Sequence, residues 1–63
     1  MRKLNTIRKE KGMSAREVSE KIGVTLRYYR QMESGERTGQ ANLWDSLEDI
    51  MGVHQRILRE TTS

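Results

Sequence analysis

The chain of 63 residues has no cysteine, no proline and no phenylalanine. Without cysteine it can form neither a disulfide framework nor a thiolate metal site, so packing alone must stabilise a chain near the lower limit of independent folding. No apolar run approaches the roughly 20 residues of a bilayer span. The opening MRKLNTIRKEKG is basic but has no apolar region behind it, which predicts no signal peptide and a cytoplasmic product. The one histidine, His54, has no second ligand nearby in sequence, so no metal site is expected. With no nucleophile and base pair and no cleft-sized core, the pattern predicts no enzyme, no catalytic residue, no cofactor and no small-molecule substrate.

Charged residues make up 33% of the chain and hydrophobic ones 33%, a polarity that would suit disorder if the apolar residues were scattered. They recur instead at spacings of three and four, which predicts a folded, all-α domain over residues 1–60 with a loose tail at 61–63. There is no repeat, low-complexity tract or linker. The formal charge of +3 and pI near 9.7 have the sign a polyanion favours, which permits nucleic acid without establishing it.

In chain order, a first helix is expected from about Arg2 to Lys11, with Leu4 and Ile7 inward and Gly12 ending it. In MSAREV, Ser14 sits at a cap, Glu17 three positions on can bond back to it, and Met13 and Val18 flank the box as a staple. That second helix turns Val18 and Ile22 inward and closes at Gly23. Thr25 then caps a third helix, LRYYRQMES, which ends at Gly35. Two capped helices joined by a short glycine-containing connection make a helix-turn-helix.

The third helix has two unlike sides. Tyr29 and Met32 fall on one, while Arg27, Gln31 and Ser34 fall on the other with Arg30 beside them. Arginine pairs with phosphate or with guanine O6 and N7, and glutamine with adenine N6 and N7, so the outer side suits a DNA major groove. The bland alternative is a solvated charged face. The helix-turn-helix geometry tips the balance toward DNA, because it holds its second helix proud of the surface.

Arg37, in the loop ERTGQ, could reach a phosphate flanking the groove or simply be solvated. A fourth helix, starting near Gln40 to Asn42 and ending at Met51, carries an inward stripe of Leu43, Trp44, Leu47, Ile50 and Met51. Asp45, Glu48 and Asp49 face away from it and would repel a phosphate backbone, so only the N-terminal amides near Gln40 are expected as phosphate contacts there. Trp44 is read as core rather than as a stacking platform, and Met13, Met32 and Met51 as gap-filling core. A short last helix is expected from His54, which sits where a cap would be, to about Arg59, with Val53, Ile57 and Leu58 available to pack; Ile57 or Leu58, if not both inward, could form a small self-association patch.

The run IRKEKGMSAREVSEKIGVTLRYYRQMESGER, followed by WDSLEDIMGV, resembles the five-helix domain of the phage repressor and Cro family, also called XRE-type. The joint pattern of Gly12, capped Ser14, Gly23-Val24 and Glu33 two before Gly35 carries the resemblance. It implies a structural ion pair between Arg8 and Glu33, base reading by Leu26, Arg27 and Gln31, and a phosphate near Tyr28. Backbone contacts are then expected from Ser14, Arg16, Tyr28, Arg30, Arg37 and Gln40. Departures from the family pattern are also visible. Ala15 stands where a phosphate-binding, bracing glutamine is common, Leu26 replaces a usually polar reader, Gly39 stands where proline is frequent, and Ser19 where a small alanine is.

The expected function is therefore a bacterial or phage transcriptional regulator of repressor type, bound to double-stranded DNA at the nucleoid, with any homodimer weak or formed on DNA. The rival is a protein-interaction module, antitoxin-like or an anti-regulator adaptor, that kept the scaffold without DNA readout. Ala15 and Leu26 motivate it.

Overall fold

The computed structural model describes residues 1–61 as five helices: α1 (Lys3–Glu10), α2 (Ala15–Ile22), α3 (Leu26–Ser34), α4 (Ala41–Met51) and α5 (Gln55–Leu58). α2 packs on α3 and α4, while α1 lies against α3 and α5, and α5 closes against α4. Among the described residues no helix is long and apolar enough to cross a membrane.

The helix limits follow local chemistry. α1 is one residue shorter at each end than its sequence pattern suggested, because Arg2 is extended and Lys11 forms its C-cap. Ser14 Oγ accepts the Glu17 N–H at 3.0 Å, which starts α2. Only half of the expected capping box forms, since among the described residues the Glu17 carboxylate makes no bond back to the Ser14 N–H. Gly23 and Gly35 take left-handed conformations at the ends of α2 and α3. α4 has Gln40 at its N-cap without a side-chain bond. His54 caps α5 through Nδ1, which accepts the Arg56 N–H at 3.0 Å.

One core holds the helices together, with Leu4, Val18, Tyr29, Met32, Trp44, Leu47, Met51 and Leu58 all fully buried. Ala15 joins it, and Ile7, Met13, Ile22, Leu26 and Ile50 pack against it while partly exposed. Trp44 is core, with its indole N–H donated to Thr38 O at 2.8 Å and the guanidinium groups of Arg2 and Arg59 over its ring at 5.1 and 5.3 Å. Burying an indole of about 200 Å² is worth roughly 5 kcal/mol at most, a large share for a domain of this size.

Gly39 explains the missing loop proline. Its φ of +82° is closed to proline, whose ring fixes φ near −65°, and a Cβ there would stand 2.8 Å from Met32 Cε and 3.0 Å from Trp44 Nε1. The loop passes this close to the core only because a glycine is there.

The acidic residues of α4 do more than face away. Glu48 Oε2 accepts the Gln55 N–H at 2.9 Å and Asp45 accepts from Gln55 Nε2 at 2.8 Å, which fixes the start of α5. Of the two apolar residues offered for self-association, Leu58 is buried and Ile57 is 37% exposed. Thr61, assigned to the tail by sequence, pairs with Arg2 in an isolated antiparallel bridge; the rest of that tail, residues 62 and 63, lies outside the described residues.

Candidate nucleic-acid interface

α3 is held at both ends and along one side. At its start Thr25 Oγ1 accepts the Tyr28 N–H at 3.1 Å. At its end the last turn contains no basic residue of its own, and Arg2 supplies the donors: its N–H reaches Glu33 O at 2.8 Å and its Nη1 reaches Met32 O at 2.9 Å. These are the carbonyls a helix end leaves without partners. Burial and, after it, the charge of Arg59 hold the Arg2 guanidinium below its ordinary pKa.

Arg8 and Glu33 form a buried ion pair, with Nε to Oε2 at 2.6 Å and Nη2 to Oε1 at 3.4 Å. Asn5 Nδ2 donates to Glu33 Oε1 at 2.9 Å, and Arg8 Nη1 donates to Met13 O at 2.8 Å. α1 is thus tied to the end of α3 and to the turn before α2. Burial pushes the Glu33 carboxyl up, but the hydrogen bonds from Arg8 and Asn5 and the Arg8 charge outweigh it and leave the pKa below its ordinary value. The hydrogen bond to Glu33 raises Arg8. The Tyr29 hydroxyl ends in this buried region, without a hydrogen-bond partner among the described residues, and burial pushes its ionisation up.

The opposite side of α3 carries no buried ion pair among the described residues. Arg27, Arg30 and Ser34 are exposed, Gln31 and Leu26 are partly buried, and together with Glu36 they line one shallow depression. Glu33 is the one carboxylate in the sequence of α3, and it is turned inward. The outer side is therefore cationic and rich in donors.

Three of the expected site residues meet at the end of this face. Arg37 donates Nε–H to Gln31 Oε1 at 2.6 Å, and its guanidinium lies over the Tyr28 ring at 5.4 Å. Tyr28 also lines a second depression, shared with Thr25, Gln40 and Asn42, where the N-termini of α3 and α4 approach each other. N–H groups at two helix starts beside one surface hollow suit a phosphate. Ser14 and Arg16 are exposed at the start of α2 and line neither depression.

Sequence reading did not single out Arg2, Asn5 or Glu36. Arg2 acts on carbonyls some thirty positions away, which no local pattern encodes. Glu36 had a signal, since it follows Gly35 directly, and it is exposed beside the depression that the outer side of α3 lines.

No curated protein and no solved structure matches the chain. A family model described as helix-turn-helix matches residues 4–54, a span that runs from α1 through α4 to the cap of α5 and contains all of α3. That family is one of DNA-binding proteins rather than enzymes. With two capped helices around Gly23, a recognition-type helix fixed from within, and this match over most of its length, the chain belongs to the helix-turn-helix family of the phage repressor and Cro type.

Proposed function

We propose that this chain is a sequence-specific, repressor-like transcriptional regulator that inserts α3 into the major groove of double-stranded DNA. Leu26, Arg27 and Gln31 read base edges, with Leu26 offering an apolar contact to a thymine methyl. Arg16, Arg30 and Arg37, with Tyr28 and the helix starts at Ser14 and Gln40, hold the phosphate backbone. The observation that carries this reading is the orientation of α3: its carboxylate is consumed inside by Arg8, and its arginines stand outside. A solvated helix face has no need of that division. The regulator acts at the nucleoid, in the cytoplasm.

The dimer is weak or forms on DNA. Among the described residues the exposed large apolar side chains are Met1 and Ile57, too few for a stable interface. The molecule measures 26 × 23 × 19 Å along its principal axes, whereas half-sites one helical turn apart are centred about 34 Å apart, so two copies meet only at their edges.

Titration of a random-sequence duplex between 50 and 200 mM salt, about the range over which counterion release is readable, tests the proposal. Three cations at the backbone give a slope of log K against log salt of about −3. Absence of binding at the low end would transfer the scaffold to the protein-interaction reading, in which α3 meets a protein partner.

A further inference from the structure

Gln31 and Arg37 form one unit. A glutamine amide has an acceptor oxygen and a donor nitrogen, and turning it by half a revolution exchanges them at nearly the same place. An unbraced glutamine in the groove can therefore offer either group to a base. Here the exchange is blocked. Arg37 carries no acceptor, so its Nε–H, 2.6 Å from Oε1, can be met only by the carbonyl, and that contact is charge-assisted. The guanidinium is itself held by the Tyr28 ring, and the Arg37 backbone N–H is held by Gln31 O at 3.2 Å.

Resting on the DNA-reading proposal and deepening it, we infer that Arg37 is a specificity-determining positioning residue: it locks the Gln31 amide with its carbonyl toward the loop and its NH₂ toward the groove. The base read by Gln31 must then offer an acceptor on its major-groove edge. Purine N7, guanine O6 and thymine O4 qualify, whereas the cytosine N4 amino group, a donor, is refused. The two Nη groups of Arg37 are left for a phosphate, so the residue joins backbone contact to base readout.

The test is competition binding at fixed salt with duplexes carrying each base pair in turn at every position of the preferred site. Wild type, Gln31→Ala, Arg37→Ala and Arg37→Lys are compared. Gln31→Ala locates the position that Gln31 reads. At that position wild type is expected to disfavour cytosine by roughly tenfold or more, within the range for one glutamine contact. Arg37→Ala should lose most of that discrimination, because the released amide can turn its carbonyl to cytosine. Arg37→Lys should lose it too, since lysine retains the charge but has no Nε–H at that place on the side chain. If both Arg37 variants lower affinity for all duplexes by one common factor and leave the preference at the Gln31 position intact, the inference is overturned and the DNA proposal stands. If wild type shows no preference at any position, both fail together.

Discussion

Glu33 and Arg8 show how far one buried pair can govern a small protein. Removing one partner leaves a charge in a site where the two side chains are only 5% and 10% exposed, a loss of about 3 to 5 kcal/mol, close to the whole stability of many domains this size. Glu33→Gln is therefore expected to unfold far more readily in urea than wild type, and the double change Arg8→Met with Glu33→Met to cost less than Glu33→Gln alone. A double variant weaker than the single would show that the pair adds net stability. The same carboxylate makes the fold sensitive to acid. Its folded pKa lies below the ordinary 4.5, so its stabilisation is complete above that value and is lost as pH falls through the folded pKa. The melting temperature of wild type should thus drop on acidification below about pH 4.5. The double variant should show a shallower decline, and equal declines would contradict the assignment. Gly39 is the second sensitive position: Gly39→Ala should lose about 1 to 3 kcal/mol in chemical denaturation, from its left-handed φ and the crowding of Met32 and Trp44.

Among the elements, α3 shows which features a sequence displays and which it hides. Thr25, Gly35, Tyr29 and Met32 were legible because capping and helical spacing are local: each depends on neighbours three or four positions away. The same holds for Ser14 and for the inward stripe of α4. The clamp by Arg2, the Asn5 contact to Glu33 and the hold of Asp45 and Glu48 on Gln55 were not legible, because they depend on how helices dock. The half-formed box at Ser14 has another cause, since the Glu17 side chain is exposed and free to be solvated. The Gln31 to Arg37 contact lies between these cases: both residues were visible, but the path of the chain after Gly35 that folds one back on the other is not set by a local pattern. Thr25→Ala should cost about 1 kcal/mol, seen as a lowered melting temperature, because it strips the cap from α3 without touching the core. No change on melting would mean that packing alone fixes this helix start.

At the scale of the whole molecule, a net charge of +3 is modest, and its distribution matters more than its sum. Lys3 pairs with Glu60, Arg8 with Glu33, and Asp45 and Glu48 hold the start of α5, while Arg27 and Arg30 remain outward on α3. A protein so arranged meets DNA by one face and by a limited number of phosphates, so its binding to random duplex should be weak and its sequence preference should reside in few side chains. The most direct measurement is selection of bound duplexes from a random library at near-physiological salt, carried out in parallel with wild type and with Arg27→Ala and Gln31→Ala. The account predicts a palindromic motif with half-sites about one helical turn apart, and loss of preference at distinct positions of each half-site in the two variants. No enrichment by wild type, or a motif that both variants leave unchanged, would contradict the claim that the outer face of α3 reads DNA.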